Sequence, residues 1–130
     1  MEPHPQRLSH NQRALILKAL KPLDCAVIYL FGSYGGPAAR PESDIDLAFL
    51  TSRPVSSLDC FNIANALADQ LGRAVDLVDL KQSTTVMAKE VLRTGTPILI
   101  NNSSQHQDFE MRVLTDYARL NEERQPVLAV

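Results

Sequence analysis

The apolar positions of this chain fall into short runs whose spacing switches between helical and extended. Ser9-His10-Asn11-Gln12 reads as a capping box with Ser9 at the N-cap. Ile16 and Leu20 then recur at helical spacing until Pro22 closes the segment. Residues 26–31 form a continuous apolar run of strand length, the pattern of a central strand covered on both faces. Gly35, Gly36, Pro37 and Pro41 mark a loop, and a second strand is predicted over 45–50. From 58 to 71, Cys60, Ala64, Leu67 and Leu71 share one stripe of an amphipathic helix that Gly72 terminates. A third strand over 74–80 carries Asp76 and Asp79, and a short helix over 84–93 sets Met87 and Val91 one turn apart, with Gly95 after it. Residues 96–100 read as a fourth short strand. A C-terminal helix over 103–125 places Phe109, Val113, Tyr117 and Leu120 on one side, leaving Glu110, Arg112 and Asp116 on a solvated, charged face. This succession predicts a small α/β (α+β) domain.

Length and composition narrow the picture. The 130 residues suit one domain spanning 1–130, with 1–8 as a flexible N-terminus. No apolar run approaches the ~18 residues of a membrane helix, and the polar N-terminus lacks the apolar core of a secretory signal. Cys25 and Cys60 are far apart and His4, His10 and His106 are scattered, so no zinc spacing is visible. The cysteines read as reduced, buried thiols of a cytoplasmic protein. A net charge of -2 supplies no basic footprint for direct nucleic-acid binding, but permits a nucleotide held through a metal.

The candidate chemistry sits between the first two strands. Phe31-Gly32-Ser33 places a Gly-Ser turn after the first strand, and Asp44-Ile45-Asp46 opens the second after ten intervening residues. Side chains at i and i+2 of a strand share a face, so Asp44 and Asp46 converge. Converging carboxylates repel unless a cation lies between them, and amides beside a Gly-Ser turn suit phosphate oxygens. Asp76, set in an otherwise apolar strand, is the natural third carboxylate, as metal ligand or general base, because a charge buried there requires a partner. Asp79, near the strand end, reads as structural. Arg40, Arg53, Arg73 and Lys89 are candidate phosphate contacts, with solvated surface charge as the ordinary reading of each, and Arg40 lies within the motif loop. The three tyrosines read as packing residues, Tyr34 being the one placed to do otherwise.

Gly32-Ser33, Asp44-x-Asp46 and a later Asp76 resemble the nucleotidyltransferase superfamily of DNA polymerase β type. The short chain and the wording Glu42-Ser43-Asp44-Ile45-Asp46-Leu47 resemble its minimal branch, the MNT-domain proteins, especially MntA-like antitoxins paired with HEPN-domain, HepT-like toxins. The resemblance covers roughly residues 10–100 and is most specific at Gly32 to Asp46. It implies the minimal nucleotidyltransferase fold, a small mixed sheet of about four strands flanked by helices. It further implies that Asp44, Asp46 and Asp76 hold Mg²⁺, with Asp76 helping to activate the attacking hydroxyl, while Gly32, Ser33 and Arg40 hold the nucleotide phosphates. The implied reaction is transfer of AMP from ATP to a tyrosine hydroxyl of a HEPN ribonuclease toxin, silencing it. Family members often carry an arginine shortly after the Gly-Ser pair. Here that place reads Gly35-Gly36-Pro37, and the first basic residue is Arg40.

Two other readings compete. The same chemistry on a small molecule such as an aminoglycoside ordinarily uses an added helical domain, and one terminal helix is available here. A non-catalytic module that neutralises a toxin by contact would have no structural need for three acids near one point.

Overall fold

The computed structural model describes residues 8–32 and 44–128. Ser33, Tyr34, Arg40 and the glycines and prolines of the motif loop lie outside the described residues.

Helix α1 (His10–Leu20) begins with the full capping box: Ser9 Oγ accepts from the Gln12 amide at 3.0 Å and Gln12 Oε1 accepts from the Ser9 amide at 2.8 Å. Pro22 ends the helix in a short 3₁₀ turn. Strand β1 (Val27–Phe31) follows, and β2 (Ile45–Leu50) is antiparallel to it, with Tyr29 opposite Ala48 and Phe31 opposite Asp46. Helix α2 (Ser57–Leu71) starts at the Ser56 N-cap and stops at Gly72, whose left-handed φ of 69° a side chain would disfavour. It carries the chain to β3 (Val75–Asp79), which lies parallel to β2. Helix α3 (Thr85–Thr94), capped by Thr84, leads to β4 (Thr96–Ile100), antiparallel to β1, and α4 (Ser103–Leu128) completes the chain. The mixed sheet has the order β3-β2-β1-β4, so β1 and β2 are central, as the apolar run at 26–31 requires.

Alternation along the strands divides the core into two layers. Ile28, Ile45, Leu47 and Phe49 face α1 and α2, where they meet Ile16, Leu20 and Leu67. Val27, Tyr29, Phe31, Ala48 and Leu50 face α3 and α4 and meet Ala88, Val91, Phe109 and Val113. Met87 departs from the stripe read from spacing: it is exposed, and Ala88 joins Val91 on the inner face of α3. Glu110 also departs from the solvated face of α4. It turns toward the sheet to accept from the Tyr29 hydroxyl at 3.3 Å, while His106 Nε2 lies 2.8 Å from the same hydroxyl. Burial, and secondarily Glu110, raises the Tyr29 pKa, so the phenol stays protonated. Both cysteines are free thiols: Cys25 is buried and its pKa is pushed up to about 12, chiefly by burial, while Cys60 is half-buried.

Asp76 departs from the buried setting that its apolar strand implies. Asp76 is exposed, because β3 is an edge strand, whereas Asp79 is buried. Asp79 is structural, as read from the sequence, and satisfied. Its carboxylate accepts from the Val55 amide (3.1 Å), the Lys81 amide (3.0 Å) and Gln82 Nε2 (2.7 Å), tying the β2–α2 connection to the end of β3. Asp79→Ala leaves these donors unpaired and is expected to lower stability by about 3 kcal/mol, read from the midpoint of urea unfolding. No described helix is long and apolar enough to cross a membrane.

Candidate active site

The strand register brings the sequence-predicted acids to one end of the sheet. Asp46 is the second residue of β2, flanked by Phe31 at the end of β1 and by Asp76 at the same level of β3. Asp44 shares the Asp46 face by the two-residue period. Asp46 is half-buried, while Asp44 and Asp76 are exposed. Burial raises the Asp46 pKa, and the charges of Asp76 and then Asp44 add to the rise. The charges of Asp76 and Asp44 therefore reach Asp46.

This coupling has a consequence for stability. With its folded-state pKa above the ordinary value of about 3.9, Asp46 holds more proton in the folded chain than in the unfolded one between those two values. Metal-free stability from this group is greatest below the ordinary value, falls as pH rises through the window, and levels off above it. Asp46→Asn removes that slope. In urea titrations the variant is expected to gain on the wild type as the pH rises above about 4.

Gly32 closes the site at the end of β1. Its φ of 76° is left-handed, and a Cβ there would collide with Oδ2 of Asp46. The bare glycine is thus what lets the turn lie against the carboxylate. The Gly32 amide donates to Thr94 Oγ1 at 3.4 Å, and that hydroxyl donates to the Glu90 carbonyl at 2.9 Å. Gly95 is pressed so closely that a Cβ would strike the Val91 carbonyl and crowd Cβ of Phe31 at 3.2 Å. The C-terminal end of α3 therefore buttresses the Gly32 turn. Nothing local in the sequence marks Thr94 for this position, because its partner lies 62 residues away.

Of the candidate cations, Arg53 follows the far end of β2, and Lys89 lies 5.4 Å from the centre of the Tyr117 ring. Neither is brought to the acids. Arg73 precedes β3 by two positions and so lies at the carboxylate end. Ser33 and Arg40 fall outside the described residues. Among the described residues no three His, Cys, Asp or Glu side chains are gathered so as to hold a metal unaided. That is compatible with Mg²⁺, which usually takes one or two protein carboxylates and completes its shell with phosphate oxygens and water. The all-oxygen donors Asp44 and Asp46 fit such an ion.

The same elements recur in known proteins. Residues 15–104 match the model of the polymerase beta nucleotidyltransferase family. Protein adenylyltransferase MntA of Shewanella oneidensis is 32% identical over 123 residues, covering 95% of this chain and 87% of that protein. Among solved structures, a toxin–antitoxin crystal structure with AMP-PNP matches at a TM-score of 0.81 and 30% identity, covering 90% of this chain and 95% of the matched one. A structure of tri-AMPylated Shewanella oneidensis HEPN toxin in complex with MNT antitoxin matches at 0.79 and 28% identity, over 94% and 97% of the two chains. The acids at the sheet end, the glycine turn beside them and the family match over most of the chain lead to one assignment: this chain belongs to the polymerase beta nucleotidyltransferase family.

Proposed function

We propose that the chain is a protein adenylyltransferase that moves AMP from ATP to a tyrosine hydroxyl of a partner HEPN-type toxin and so acts as its antitoxin. The observation that carries this reading is the pairing of Asp46 with Asp76 at the sheet end beside Gly32. Further support comes from the 32% identity to an adenylyltransferase and the likeness to an antitoxin bound to an AMPylated HEPN toxin.

In this reading Asp44 and Asp46 hold Mg²⁺, with Asp76 completing the acidic centre. Bound there, the ion would offset the negative charge of the ATP phosphates and of the departing pyrophosphate. Gly32 and Ser33 offer backbone amides to the phosphates, with Arg40 as a further contact. Asp76, exposed at the edge, accepts the proton of the tyrosine hydroxyl. The phenolic oxygen forms a bond to the α-phosphorus as the bond from that phosphorus to the bridging oxygen breaks, and pyrophosphate leaves with the electron pair. The products are tyrosyl-AMP and pyrophosphate. A reaction of ATP with a partner toxin belongs in the cytoplasm.

The ribonuclease activity of the toxin tests this reading. Mixed with the chain, Mg²⁺ and ATP, the toxin should lose activity. With α,β-methylene ATP, whose bridging carbon cannot leave, it should keep it. Equal silencing by both nucleotides, or without any, would make the chain a contact inhibitor instead.

A further inference from the structure

The two edges of the sheet are finished differently. On β4, Pro97 removes a backbone donor, the pairing with β1 shifts register, and Arg13 Nη2 donates to the Ile98 carbonyl at 2.6 Å. These are standard means of closing an edge against another strand. On β3 none of them occurs among the described residues. The Ala74 carbonyl accepts from the Ile45 amide and the Leu80 amide donates to the Phe49 carbonyl, both at 2.9 Å. In a parallel pair alternate residues face the partner, so the amides and carbonyls of Val75 and Leu77 are directed away from β2.

A groove runs along that open edge. Val75 and Leu77 form one wall, and Phe61, Ala64 and Asn65 of α2 form the other. Phe61 is 63% exposed, an apolar surface beside backbone groups that find no partner among the described residues. Asp76 also lines the groove and is the register partner of Asp46. The same edge therefore borders the groove on one face and, through Asp76, the carboxylate centre on the other.

Resting on the proposed function, the geometry points to the free edge of β3 as the dock for the acceptor: an extended segment of the toxin, carrying the target tyrosine, adds to the sheet as a fifth strand. Residues paired across adjacent strands share a face, so the segment's residue beside Asp76 is presented on the same face as Asp44 and Asp46. Backbone pairing along Val75 and Leu77 supplies affinity with little demand on sequence, and the Phe61 wall receives an apolar side chain. A second copy of this chain is a poorer occupant, since it would bring another Asp76 to an edge where Asp76 already stands beside Asp46.

Hydrogen exchange on the full chain bound to its HEPN toxin, without nucleotide, tests the dock apart from the chemistry. The Val75 and Leu77 amides should exchange at least about tenfold more slowly in the complex than in the free chain. Phe61→Glu, at an exposed helical position, should raise KM for the toxin about tenfold while leaving KM for ATP within about twofold. Unchanged exchange at these amides in the complex, or an unchanged KM for toxin in the variant, overturns the dock. So does protection of the same amides in the free chain on raising its concentration, which assigns the edge to self-association. Protection in a complex that transfers no AMP supports the dock and overturns the transferase reading. Transfer without protection does the reverse.

Discussion

Replacing Asp44 and Asp46 together with asparagine is expected to abolish AMP transfer without unfolding the chain. Asparagine nearly preserves the volume of aspartate but removes the charge that a metal requires. The loss expected is about a thousandfold or more, since electrostatic stabilisation of the transferring phosphoryl group is the largest contribution available in such a site. The fold should tolerate the change because, among the described residues, neither carboxylate accepts hydrogen bonds as Asp79 does. Asp46 is destabilised by its own burial and by Asp76 and Asp44, so neutralising it relieves repulsion. Single-turnover transfer from labelled ATP, alongside circular dichroism of the variant, separates the two effects. Undiminished transfer would remove both residues from the site.

Gly32→Ala is expected to be nearly as damaging, for a different reason. The alanine must adopt the left-handed φ of 76°, at a cost of about 1 kcal/mol, and its Cβ must displace the Asp46 carboxylate. Transfer should fall at least about a hundredfold, because the ligand that moves is the one at the centre of the acidic group. Gly72 provides an internal control. Its φ is 69°, but nothing lies within 4 Å of the position a Cβ would take. Gly72→Ala should therefore lose about the same 1 kcal/mol of stability while transfer remains unchanged. Equal activity losses in the two variants would show that backbone strain alone, not contact with Asp46, accounts for the Gly32 effect.

The sequence was most informative where signals are local. The Ser9–Gln12 box, the stop at Pro22 and the glycine stop at 72 each depend on residues within a few positions, and all are in place. The convergence of Asp44 and Asp46 rests on the two-residue period of a strand, which is equally local. Strand order is not local, and that is where the reading of β3 failed. Periodicity makes Asp76 look buried in an apolar strand, yet edge position leaves it exposed and turns Asp79 inward instead. Exposure suits the proposed role of Asp76 better than burial does, since a proton acceptor must be reached by the partner's hydroxyl. Thr94 and the inward turn of Glu110 escaped notice because each is defined by a contact between distant segments. The same holds for Met87, whose place on α3 depends on which face α4 and the sheet require.

The most direct test of the central claim is the intact mass of the HEPN toxin after incubation with this chain, ATP and Mg²⁺. A toxin that gains ~329 Da, or a multiple of it, while losing ribonuclease activity has received AMP residues by phosphoryl-group transfer, as proposed. A toxin silenced at unchanged mass would contradict the account and leave the acidic centre without its assigned chemistry.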